Sequence, residues 1–130
     1  MCRSEPAATG AWGRVVWAVE ASGRRPAQEF FEQLSDEAAA KVQALFERLA
    51  EHGQIKNTEH FKKLETRKGH AIWEFKRHQI RLLGRFGPGR QFLVAHGLKK
   101  KRDKHRSTDL DRTARILTEH LARHEQGGRR

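Results

Sequence analysis

The sequence predicts an α+β fold, a small antiparallel sheet with two helices packed on one face and a third helix at the C-terminal end. Three observations predict it. Residues 73–86, WEFKRHQIRLLGRF, alternate apolar and polar side chains with the two-residue period of paired strands. A turn, Gly87-Pro88-Gly89, then leads into a third apolar run, QFLVAHGL, that ends in lysines. Residues 36–52 repeat instead at helical spacing, with Ala39, Val42, Leu45, Phe46 and Leu49 on one stripe. The whole chain reads in the order β-α-α-β-β-β-α.

Each element has a local reason. Residues 1–11, MCRSEPAATGA, are small, polar and aperiodic, so a disordered start is expected. Residues 12–20, WGRVVWAVE, are rich in valine and tryptophan, which suit a pleated surface. Val15, Trp17 and Val19 fall on one side and Val16 and Ala18 on the other, the pattern of a central strand with helices on one side. Ala21-Ser22-Gly23 turns the chain. Pro26 is a good first helical residue, and Phe30, Phe31 and Leu34 would dock a short helix over residues 26–34. Ser35 is suited to cap the second helix and Gly53 to stop it. Residues 54–70 read as a connector anchored by Leu64. Residues 108–124 form the last helix, with Ser107 or Thr108 as N-cap, Asp109 and Asp111 in the first turn, and an apolar stripe of Leu110, Ala114, Leu117 and Leu121. One domain over residues 12–125 is expected, with a frayed tail over 126–130.

Charge narrows the function. Lys and Arg number 27 against 16 Asp and Glu, a formal net charge of +11 with a pI near 10.7. Such an excess favours a polyanionic partner through counterion release. The cations also cluster. If Trp73, Phe75, Ile80, Leu82 and Phe86 face a core, then Glu74, Lys76, Arg81, Leu83 and Arg85 share the opposite face. A polar face this rich in cations suits phosphate. The acidic residues Glu32, Glu37, Glu47 and Glu51 gather in the helical half, so the sheet half is the side expected to meet phosphate. A single cysteine, Cys2, excludes an intrachain disulfide and fits a reducing compartment. No apolar run approaches the roughly 20 residues of a membrane span and no signal peptide is visible, so a cytoplasmic location without membrane contact is expected. His120 and His124 stand at zinc-pair spacing, but no third or fourth ligand follows in sequence, so no metal site is expected. Gly87-Pro88-Gly89 lacks the lysine and helix start of a phosphate loop. Trp12, Trp17 and Trp73 read as core residues.

Several segments together resemble a known family. FKKLE followed by WEFK, the arginine in IRLLGRF, and AHGLKKK before a last helix are similar to the RelE/HigB superfamily of bacterial toxins, and more narrowly to its phage-derived Gp49-like branch. The resemblance covers roughly Trp12 to Leu121. It implies the toxin of a type II toxin–antitoxin pair, an enzyme that cuts messenger RNA on the ribosome without metal or other cofactor. It implies as partners mRNA, the ribosome and a cognate antitoxin, often a helix-turn-helix protein, that covers the toxin and represses the operon. The reaction is attack of the RNA 2′-hydroxyl on the adjacent phosphate. That step needs a base for the hydroxyl proton, cations for the phosphorane charge and an acid for the leaving 5′-oxygen.

The resemblance also implies site residues. Arg81 matches the arginine that contacts the scissile phosphate in the family, and its guanidinium can grip phosphate bidentately. Lys76 stands where the family pattern WELR has its arginine, keeping the charge but not the fork; Arg77 follows at once. His60 and Lys63 form H-x-x-K, similar to a basic pair of the HigB branch, and histidine can serve as base or acid. Glu59 is the alternative base. His96 matches the histidine of an HGF-type motif, as general acid or as a buried histidine. Lys100 would neutralise the leaving oxygen or the phosphate. Lys62, Arg77, Arg85, Lys99, Lys101 and Arg102 are candidate contacts to RNA or ribosome. The family often has Thr-Pro after the lysines where this chain reads DKHRSTD, and the chain has no tyrosine, so His96 or His105 would stand in for a tyrosine acid. Two other readings remain open: a non-enzymatic ParE-like toxin acting on DNA gyrase, and a basic nucleic-acid-binding accessory protein.

Overall fold

Val15 and Trp17 point to one side of their strand and Val16 and Ala18 to the other, and both sides are covered by helices. The computed structural model describes residues 5–100 and 107–128. These form β1 (Ala8–Thr9), β2 (Arg14–Trp17), α1 (Pro26–Glu32), α2 (Asp36–His52), β3 (Phe61–Arg67), β4 (His70–Arg77), β5 (Ile80–Gly87), β6 (Gln91–Lys99) and α3 (Ser107–Gly128). The strands make one six-stranded sheet in the order β1-β2-β6-β5-β4-β3. Every neighbouring pair is antiparallel except β2 and β6, which run parallel. A parallel pair requires a long crossover, and everything from α1 to β5 supplies it.

The helices begin and end where local chemistry dictates. Pro26 opens α1. The Ser35 hydroxyl accepts the Ala38 N–H at 3.2 Å and caps α2. Gly53 closes α2 in the left-handed conformation at φ 74, with its N–H on the Leu49 carbonyl at 2.7 Å. Trp12 packs on that same glycine, where an added Cβ would lie 2.6 Å from the indole.

Alternation along the sheet builds two cores. On the first face α1 and α2 bury Trp17, Phe46, Phe61, Phe75, Leu82, Phe92 and Val94. Their rings form a continuous aromatic network, with Phe46 5.0 Å from Phe75 and Phe61 4.8 Å from Phe75 between centroids. Gly97 makes room for Phe30 of α1, since a Cβ there would lie 2.4 Å from Phe30 Cδ2. On the second face α3 lays Ile116 and Leu117 on Leu93 and Ala95, and Leu110 on Ile72 and Leu83. Polar ties fix α3 as well: Arg67 Nη1 to Asp111 at 2.8 Å, His70 Nε2 to Thr118 Oγ1 at 2.8 Å, and the Val19 N–H to His120 Nδ1 at 3.0 Å.

Four features differ from the expectation. Residues 8–9, read as part of a disordered start, form β1, because their backbone pairs with β2 and Ala8 enters the core. The connector over 54–70 contains β3. A bulge between Lys63 and Glu65 breaks the period of two there, so Phe61 faces one core and Leu64 packs on the other side. β3 is also the edge of the sheet, and its lysines guard that edge. The strand of Val15 and Trp17 is covered on both faces rather than one. Finally, α3 extends to Gly128, beyond residue 124, and lies over the sheet face that carries the cations. None of the helices, among the described residues, is long and apolar enough to cross a membrane.

Candidate active site

The strand register gathers most of the predicted site residues at one end of the sheet. There Lys76 pairs with Arg81 across β4 and β5, and Arg81 with Leu98 across β5 and β6. The Lys76 N–H donates to the His60 carbonyl at 2.8 Å, and the Lys100 N–H to the Gln79 carbonyl at 2.8 Å. Lys62 pairs with Glu74, and Leu83 of that row pairs with His96. Arg77 and Lys99 both flank Ile80 in the last row. Lys63, opposite Trp73, lies further towards the middle of the sheet. Arg85, opposite Leu93, lies further still. Lys101, Arg102 and His105 fall outside the described residues.

The alternation of side chains divides this end between two faces. Lys62, Glu74, Lys76, Arg81 and His96 belong to the face under α3. The expected grouping of Glu74, Lys76 and Arg81 on one face is therefore present, but that face is not open. Glu74 is 1% exposed and Arg81 7%. Arg81 Nη1 donates to the Ile80 carbonyl at 3.1 Å and also to the His78 carbonyl, while its Nε sits 3.6 Å from Glu74 Oε2. His96 Nε2 lies 3.0 Å from Asp109 Oδ1 in the first turn of α3, and both His96 and Lys100 are buried. Lys62 and Lys76 are half-buried cations of this face.

The other face of the same end holds His60 and Arg77. Asn57 places the histidine: its side chain accepts the Glu59 N–H at 2.9 Å and its carbonyl accepts the His60 N–H at 2.9 Å. Arg77 Nη1 lies 3.4 Å from His60 Nε2. In that contact the guanidinium can only donate. These two side chains, with Lys41, Ala44, Leu45 and Arg48 of α2, line a cavity of about 210 Å³. Glu59 is exposed beside it. His78 is exposed at the tip of the β4–β5 turn at this same end. Lys63 is exposed on the α2 side of β3, and Lys99 is exposed at the end of β6.

His60 and His96 thus stand on opposite faces of the sheet, so a single phosphate does not meet both. Arg85 is tied within the sheet. Its Nε donates to the Phe86 carbonyl at 2.7 Å and its Nη1 lies 3.0 Å from His70 Nδ1. Burial, and then the Arg85 charge, push the His70 imidazole below its usual value.

Lys41, Arg48 and His78 also stand at this end, though the sequence pattern does not single them out. Lys41 and Arg48 are seven residues apart, two helical turns, which places both on one stripe of α2. That spacing was the available signal, but the surrounding glutamates masked it. Among the described residues, no group of three or more His, Cys, Asp or Glu could hold a metal ion.

The model of one protein family, described as phage-derived protein Gp49-like, matches residues 29–118. That span runs from α1 into α3 and includes every described candidate residue at this end of the sheet. Among curated proteins, none matches the chain.

Proposed function

The chain belongs to the Gp49-like family of phage-derived proteins, a RelE/HigB-like toxin family that points to the toxin of a toxin–antitoxin pair with a cognate antitoxin, and we propose that it acts as a ribosome-dependent mRNA endoribonuclease. One observation carries the reading: His60 and Arg77 stand 3.4 Å apart at the end of the sheet where the half-buried lysines of β3 and β4 also lie. RNA supplies its own nucleophile, so these residue types suffice for its cleavage.

The step divides simply. His60 Nε2 takes the proton of a ribose 2′-hydroxyl. The freed O2′ bonds to the adjacent phosphorus, and the negative phosphorane is held by Arg77. The bond from phosphorus to O5′ breaks, and O5′ leaves with a proton for which His78 is the exposed donor at this end. The products are a 2′,3′-cyclic phosphate and a 5′-hydroxyl. Arg81 and Lys100, buried on the other face, add positive potential and hold the turn, while His96 fixes the start of α3 through Asp109. Lys62, Lys63 and Lys99 extend the basic surface for RNA and ribosome.

Induced synthesis of the chain without antitoxin tests the reading. Growth and translation stop in the wild type and continue in His60→Gln/Arg77→Gln, with both proteins folded. Arrest that persists in the double variant, or arrest with intact mRNA and inhibited DNA supercoiling, refutes it.

A further inference from the structure

The cavity between α2 and the β3–β4 end has a cationic lining. Three cations, Lys41, Arg48 and Arg77, line it with His60, Ala44 and Leu45. Among the described residues, no carboxylate lines it. Lys41 Nζ does reach Glu37 Oε2 at 3.3 Å, but the side chain of Glu37 is 82% exposed, so this pair is weak and its cation is free to turn inwards. Arg48 is exposed and also borders the groove of Glu47 and Glu51 on its far side. Arg77 Nη1 approaches His60 Nε2 at 3.4 Å.

We propose that this cavity is a phosphate subsite, in which Lys41 and Arg48 of α2 hold the backbone phosphate next to the one being cut, with a nucleoside face resting on Ala44 and Leu45. The inference rests on the nuclease reading for its substrate and adds residues from the helical side, which the charge distribution in sequence assigns away from RNA. The chemistry fits single-stranded RNA. A flexible strand can turn around the β3 edge, from Lys62 and Lys76 on one face to Arg77 on the other, whereas a stacked duplex cannot. Lys41 and Arg48 would therefore be positioning residues that fix where the strand lies relative to His60.

Salt-dependent binding of a labelled hexadeoxyuridylate, which lacks the 2′-hydroxyl and is not cut, tests this on the full-length protein. In the wild type the logarithm of affinity falls linearly with that of salt between about 50 and 200 mM. For one lost phosphate contact the slope of Lys41→Gln/Arg48→Gln should be shallower by about 0.7. Lys41→Arg/Arg48→Lys should restore it, which a merely structural role would not require. On translating ribosomes the glutamine variant should raise KM for mRNA cutting more than it lowers kcat. An unchanged slope in the folded glutamine variant overturns the subsite. Wild-type oligonucleotide binding with the expected slope difference, but no cutting on ribosomes, sinks the nuclease reading and leaves the subsite standing.

Discussion

Arg81→Met separates a buried arginine that holds the sheet end from one that grips phosphate. The methionine keeps most of the apolar stem and removes the guanidinium. Two hydrogen bonds go with it, the 3.1 Å bond to the Ile80 carbonyl and the bond to the His78 carbonyl, together with the 3.6 Å approach to Glu74. A hydrogen bond from a charged donor contributes about 1.5–3 kcal/mol. The Ile80 bond is buried and counts nearly in full, whereas the His78 bond lies at an exposed turn and counts for less, giving a loss of about 2–4 kcal/mol. At about 4 °C per kcal/mol for a domain of this size, the melting temperature should fall by about 8–16 °C. Thermal unfolding by circular dichroism reads this directly. Arg77→Met is the comparison. Arg77 is half-buried, and among the described residues its polar side-chain contact is the 3.4 Å approach to His60, so its melting temperature should move by less than about 2 °C. A melting temperature for Arg81→Met within about 2 °C of wild type would refute the structural role assigned to this arginine. It also follows that lost toxicity in an Arg81 variant carries meaning only below its melting transition.

Three further outcomes follow from particular contacts. Gly97→Ala would place a Cβ 2.4 Å from Phe30 Cδ2, and overpacking of this kind should cost about 1–3 kcal/mol in urea unfolding; an unchanged midpoint would contradict the seating of α1. Burial and Arg85 depress the His70 imidazole in the folded state, so its contribution to stability is complete above the unfolded value of about 6.5 and is lost as pH falls below that towards the folded value. His70→Gln should therefore flatten the stability profile below about pH 6.5, and parallel profiles would contradict this. Arg67→Ala removes the ties to Ser107 at 3.1 Å and Asp111 at 2.8 Å; amide exchange in the first turn of α3 should quicken while global stability changes by less than about 1 kcal/mol, and unchanged exchange would count against the tie.

Helix α2 was legible to the residue, because Ser35 and Gly53 mark its ends chemically and Val42, Leu45, Phe46 and Leu49 mark its face. β4 and β5 were legible from alternation alone, and so was the sharing of one face by Glu74, Lys76 and Arg81. β3 escaped because its bulge sends Phe61 and Leu64 to different sides, and β1 because two residues carry no period. The amphipathic stripe of α3 announced a buried helix but not which surface would bury it. The sheet face it covers mixes Ile72, Leu83 and Leu93 with Glu74 and Arg81, so composition alone reads it as polar. The site was legible as residue types and blurred in space. His60 meets Arg77 only because β3 pairs with β4, and neither meets Lys41 or Arg48 until α2 packs across the sheet.

Mapping RNA ends tests the central claim most directly. The purified protein is added to an mRNA, free in EDTA and on translating ribosomes, beside His60→Gln and Arg77→Gln variants shown to be folded. The account predicts cuts on ribosomes and not in free mRNA, upstream fragments ending in 2′,3′-cyclic phosphate, and loss of those cuts in both variants. Intact mRNA in both settings, or cuts that survive both substitutions, would contradict it.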